Sequence, residues 1–284
     1  MQSPPKPCAF ESDLALLLSA FVAEKQRLGF KYNSIEAYLK SFDTFLLGKD
    51  CKNSLSKELM LEWIAPKAHQ SATTIEHRIH IMQRLTDFLN RNGFPAYRIS
   101  SELIPRKTHD FIPYIFTYDE ITRILAVVDG FTFNKCSPKR HIVYPLLFRA
   151  LCFCGLRISE ALNLTVGDVH FEDGFFLLRN TKTSLDRIIP LDDNLRARFV
   201  AYREQMGFFR KDEYFFPSPN GSRYSLATMD TTFRDILFSA GIPYRGRGKG
   251  PRLHDLRHTF CVHSLQKLTA HGEDPYAVLP LLMT

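Results

Sequence analysis

The sequence predicts a mostly α (α+β) fold in two domains: a four-helix bundle, then a helical domain carrying one small three-stranded antiparallel sheet. Three observations predict it. The chain has 284 residues, long for one hydrophobic core and comfortable for two. Apolar residues recur at three- and four-residue steps through most of its length, with helix-capping patterns in front of them. One stretch, "VHFEDGFFLLRN" (169–180), reads as a hairpin with Asp173-Gly174 at its turn, and "DRIIPL" (186–191) supplies a third strand.

The bundle occupies residues 12–97. Leu14, Leu17, Leu18, Phe21, Val22 and Leu28 form the stripe of a first helix that Gly29 stops. Asn33 with Glu36 makes a capping-box start for a second, carrying Tyr38, Leu39, Phe42 and Phe45. A short third helix covers about Ser56 to Ile64. Thr73 with Glu76 opens a fourth through Ile75, Ile79, Met82, Leu85 and Phe88, ended near Gly93. Residues 98–116 hold prolines and little periodicity, and read as a linker.

The second domain spans 117–284. Thr117 and Glu120 form a capping box before "EITRILAVV". "HIVYPLLFRALCFCG" is an apolar helix ended by Gly155, followed by a short helix around "RISEALNL". The hairpin and third strand come next, with "NTKTS" (180–184) in the loop between strands two and three. Helices resume at about 193–206, 226–240 and 254–267.

Composition narrows the function classes. With 45% hydrophobic and 24% charged residues the chain is globular, neither fibrous nor disordered. Lys and Arg number 37 against 30 Asp and Glu, giving +7 and favouring a polyanionic partner, nucleic acid first. Cysteines stand at 8, 51, 136, 152, 154 and 261 with no CxxC spacing, which reads as reduced, buried thiols. The N-terminus lacks an apolar signal core and no apolar run reaches membrane-spanning length. The expectation is a cytoplasmic protein with no membrane partner.

Four segments carry candidate chemistry. In "PYRGRGKGPRLHDLRH" (243–258), Arg245, Arg247, Lys249 and Arg252 are interleaved with glycines that let the backbone approach a phosphate-bearing surface. A solvated loop is the alternative. His254 and Arg257 are three apart, share a helix face, and can both donate to one phosphate. The alternative is a helix-terminal histidine beside a surface arginine. His254 and His258 have the spacing of helix-borne zinc ligands. No glutamate follows the first histidine, however, and the arginine between them opposes a dication. Arg157 follows Gly155 at a break between helices, either projecting outward or paired with Glu160. Lys182 lies in the hairpin loop, where an exposed lysine is ordinary.

In order, "GLRISEAL" (155–162), "TKTSLDRIIPL" (181–191) and "HDLRHTF" (254–260), behind an all-α domain, resemble the tyrosine recombinase family of phage integrases and Xer-like recombinases. The resemblance runs from about residue 12, with its specific motifs in 155–260. It implies a core-binding DNA-binding domain over 12–97, a linker over 98–116 and a catalytic domain over 117–284. The implied activity is site-specific DNA cleavage and rejoining through a phosphotyrosine, on double-stranded DNA and with a homo-oligomer formed there. Arg157 and Arg257 would clamp the non-bridging oxygens of the scissile phosphate. Lys182 would protonate the departing 5′-oxygen, and His254 would assist proton transfer from the nucleophile. No metal or cofactor is implied, because arginines carry that charge.

The family pattern continues past the HxLRH box with an LGH-like box and a nucleophilic tyrosine. Here "HGEDPYAVLPLLMT" (271–284) follows, without LGH, and Tyr276 is the one tyrosine after Arg257. It comes early and has apolar neighbours, so it reads as a core residue; Tyr244 precedes the box. The expectation is a recombinase cut short, binding DNA without cleaving it. Two other readings remain: a non-catalytic DNA-binding regulator competing with full-length relatives, and a zinc hydrolase built on His254 and His258.

Overall fold

The computed structural model describes residues 10–30, 32–68, 70–106, 112–179, 186–246 and 250–277. The chain forms two compact units, residues 1–110 and 111–284.

Among its described residues the first unit carries α1 (Ala15–Arg27), α2 (Asn33–Leu46), α3 (Lys57–Ile64) and α4 (Ala72–Arg91). Leu14, Leu18, Phe21, Leu39, Phe42, Ile79 and Leu85 are fully shielded from water, and this shared burial supplies most of the helices' stability. The buried Asp43 of α2 accepts the backbone N–H groups of Glu11 and Ser12 at 2.7 and 3.0 Å, tying the preceding chain to the bundle.

Two helix starts differ from the sequence pattern. α2 begins at Asn33 itself, with Tyr32 as its capping residue. α4 is capped by Ser71, whose hydroxyl accepts the Thr74 N–H at 3.2 Å, in place of Thr73 with Glu76. Ser71 is as good an N-cap as threonine and lies upstream, so the helix gains a half turn. Leu28, counted on the first stripe, falls just past α1 and is exposed.

The second unit opens with α5 (Tyr118–Asp129), whose Thr117–Glu120 capping box forms as the sequence predicts, with bonds of 3.2 and 2.8 Å. α6 (Arg140–Phe153) is the buried spine, with Val143, Leu147, Phe148 and Ala150 inside the core. α7 (Ile158–Asn163) follows. The sheet then runs β1 (Val169–His170), β2 (Phe175–Leu178) and β3 (Arg187–Pro190), antiparallel and in that order. Its register pairs Val169 with Phe176 and Leu178 with Arg187. α8 (Asp193–Met206), α9 (Leu226–Ser239) and α10 (Asp255–Ala270) complete the unit. Of the stretch 98–116, Ile99 is buried in the first unit's core and Phe116 in the second's. The "NTKTS" loop lies outside the described residues.

Burial pushes the thiols of Cys152 and Cys154 up to about 12. Cys136 corrects the expectation of buried thiols: it is exposed, because its neighbours in "NKCSPKR" are polar and offer no core to enter. Cys8 lies outside the described residues. No described helix is long and apolar enough to cross a membrane.

Candidate functional site

The α6–α7 turn places the first candidate. Gly155 adopts a φ of +59°, and a Cβ there would clash with the Phe260 ring, so both backbone sign and space demand glycine. Leu156 then turns inward and Arg157 takes an extended conformation at the start of α7. The Arg157 N–H donates to Glu160 Oε2 at 2.8 Å and its Nη1 donates to Glu160 Oε1 at 2.7 Å. The arginine side chain remains about one-third exposed (34%).

The first two turns of α10 place the second and third. Asp255, 1% exposed, accepts the Arg252 N–H at 2.8 Å and fixes the entry to the helix. Thr259 is pinned from the other side, its hydroxyl accepting the Phe116 N–H at 3.0 Å while donating to the Asp255 carbonyl at 2.8 Å. Leu253 and Leu256 sit in the core. With those faces fixed, Arg257 reaches the α6–α7 turn and donates from Nη1 to the Gly155 carbonyl at 2.6 Å.

Glu160 is the hub of the cluster. Besides Arg157, its Oε2 accepts from Arg187 Nη2 of β3 at 2.7 Å, and Arg257 Nη1 stands 3.9 Å away. The Glu160, Arg257 and Arg187 side chains are 10%, 13% and 14% exposed. Three guanidinium groups thus share one carboxylate in a partly dry site, leaving an excess of positive charge. Arg257 shows the effect: burial, then the charges of Arg157 and Arg187, pull its pKa below the usual guanidinium value, with Glu160 opposing.

His254 stands one turn before Arg257. Its ring meets His258 edge-to-face at 4.8 Å. Partial burial lowers its pKa below the ordinary imidazole value, helped by the charges of His258, Arg257 and Arg252. It is therefore biased toward the neutral form, able to accept a proton when a neighbouring anion arrives. Among the described residues no group of three His, Cys, Asp or Glu side chains converges as a metal-ligand set.

The structure thus brings Arg157 and Arg257 together around Glu160, with His254 on the same helix end as Arg257. Arg252 is partly exposed and pairs with Asp255 at 3.3 Å; Arg245 is exposed beside Gly246. Lys182, Arg247 and Lys249 lie outside the described residues. Tyr276 corrects the sequence reading: it is 86% exposed rather than core, because every described residue of 266–277 stays on the surface and offers no apolar face to receive it. In the sequence Glu160 is legible only as a partner for Arg157. Its sharing by Arg187 and Arg257 has only one signal there, an arginine at the start of a strand.

Residues 115–274 match the family model described as the phage integrase family. The chain is 27% identical over 271 residues to a putative integrase/recombinase, y4rB, of Sinorhizobium fredii, covering 93% of this chain and 85% of that one. It is 26% identical over 257 residues to the tyrosine recombinase XerA of Pyrococcus horikoshii, covering 88% and 80%. Among solved structures, a lambda integrase dimer bound to a COC′ core site superposes with a TM-score of 0.63 at 14% identity over 90% of each chain. The Tn1549 transposon integrase in complex with circular intermediate DNA gives 0.60 at 18% identity over 94% and 90%. These two likenesses are of fold.

Proposed function

The chain belongs to the phage integrase family, and on that footing we propose that it is a site-specific recombinase by descent whose arginine cluster binds one backbone phosphate of duplex DNA. The observation that carries this is the meeting of Arg157 and Arg257 around Glu160, with cationic charge left over. A phosphodiester is singly negative and presents two non-bridging oxygens, a good match for two guanidinium forks. In the pentacoordinate state those oxygens gain charge, and permanent cations in a partly desolvated site stabilise that state more than the ground state.

The remaining roles are those that the family resemblance implies. His254, biased to neutrality, takes the proton of the attacking hydroxyl. Lys182 gives a proton to the departing 5′-oxygen. Arg245, Arg247, Lys249 and Arg252 hold flanking phosphates, and residues 12–97 close on the duplex as the core-binding domain, joined through 98–116 to a catalytic domain over 117–284. Cation, proton donor and proton acceptor are then all side chains, so no metal or cofactor is invoked. Copies of the chain assemble on the DNA.

For these 284 residues by themselves the proposal is binding without cleavage. Tyr276 follows Arg257 closely in sequence, in the helical residues 275–277 past α10, and is left unassigned as a nucleophile. A nicked suicide duplex, which traps a phosphotyrosine once formed, tests this: no covalent adduct is expected, and an adduct would refute it. A binding-only chain would also compete with an intact recombinase for its site. Added chain should slow strand exchange by the intact enzyme; unchanged exchange at saturating chain would discard the competitor role.

A further inference from the structure

We infer that Arg187 is a positioning residue: by occupying Glu160, it keeps Arg257 available to an external anion. This rests on the phosphate-site reading above and adds to it a residue that need not touch DNA.

The geometry supplies the reason. Glu160 Oε2 already accepts the Arg157 N–H at 2.8 Å and Arg187 Nη2 at 2.7 Å. Arg257 Nη1 stays 3.9 Å from the same oxygen, and its close bond goes to the Gly155 carbonyl at 2.6 Å. An oxygen engaged by two strong donors has little capacity for a third. Arg187 is itself fixed, because it opens β3 opposite Leu178 and is largely shielded.

Charge counting points the same way. Arg157, Arg187 and Arg257 against Glu160 leave two positive charges (three minus one) in the described cluster. Without Arg187 one would remain, and the nearest replacement partner for the freed carboxylate oxygen would be Arg257. Closing that 3.9 Å gap would turn Arg257 inward and convert half of the clamp from a long ion pair into a close, hydrogen-bonded internal one. Arg187 therefore sets how much of the cluster's charge faces outward.

The test separates positioning from simple support. Affinity for a short duplex is measured by fluorescence anisotropy for the full chain and for Arg257→Ala, Arg187→Met, Arg187→Lys and Arg187→Met with Glu160→Gln, folding being checked by circular dichroism. Arg257→Ala and Arg187→Met should each weaken binding about tenfold, the scale of one charge-assisted contact. Arg187→Lys should fall between. Adding Glu160→Gln to Arg187→Met should recover most of the loss, because the neutral amide no longer draws Arg257 inward. A merely structural residue would give a double variant worse than the single one. Wild-type affinity in Arg187→Met, or no recovery in the double variant, overturns the inference while leaving the phosphate site intact. Unchanged affinity in Arg257→Ala sinks the phosphate site and this inference with it. Where Arg187→Met does not fold, Arg187→Gln carries the same comparison.

Discussion

Arg257 donates to the carbonyl oxygen of Gly155 at 2.6 Å across 102 residues of chain, and this bond is what makes one site of two distant motifs. The glycine is needed twice, for its left-handed backbone and for the Phe260 ring lying where a Cβ would be. The α6–α7 turn and the first two turns of α10 are therefore interlocked: Phe260 fills the space that Gly155 leaves, and Arg257 takes its carbonyl.

Gly155→Ala should destabilise the second unit by about 2–4 kcal/mol, combining left-handed strain with overpacking against Phe260. Denaturant unfolding measures this. Pairing it with Phe260→Ala should return the overpacking part and none of the backbone part.

Thr259→Val should cost about 1–3 kcal/mol, because it leaves the Phe116 N–H buried without an acceptor. Thr259→Ser, which keeps the hydroxyl, should lose far less in the same urea titration.

The pH dependence centres on His254. Its folded pKa is depressed below 6.5, so the unfolded chain binds the proton more readily. The stability tied to its neutral form is fully present above about pH 6.5 and falls as pH drops from there toward the lowered folded value. An adjacent phosphate should reverse the shift, so that DNA binding near pH 6 takes up a proton. Imidazole NMR titration with and without duplex reads both values, and a pKa that DNA leaves unmoved would remove His254 from the site.

Chelation should leave DNA affinity unchanged. Zinc found at one equivalent by elemental analysis, and lost together with affinity on chelation, would instead favour the histidine-pair reading.

What was legible in the sequence is what local chemistry decides. The Thr117–Glu120 box, the Asp173-Gly174 turn and the alternating strands around it are set by residues within a few positions of one another. α4 started early because Ser71, a cap as strong as Thr73, stood in front of it. The Arg157–Glu160 pair is legible as one of two readings, since three residues separate them; the structure forms the pair and makes it part of the cluster. Arg187, 27 residues from Glu160, was visible only as a strand-opening arginine, because nothing in a strand's period says which carboxylate its ends will meet. Tyr276 departs from its sequence expectation for the opposite reason: apolar neighbours describe a segment, whereas burial requires a partner surface that the exposed end of α10 does not provide.

The central claim, that Arg157 and Arg257 act on one phosphate, is tested most directly by a double-mutant cycle on duplex affinity. Arg157→Ala, Arg257→Ala and the double variant are compared with the unaltered chain at matched salt. Two forks on a single anion should be coupled, the double variant losing less than the sum of the single losses by about 0.5–3 kcal/mol. Strictly additive losses, or none, would mean that the two arginines serve separate contacts and that the shared site does not exist.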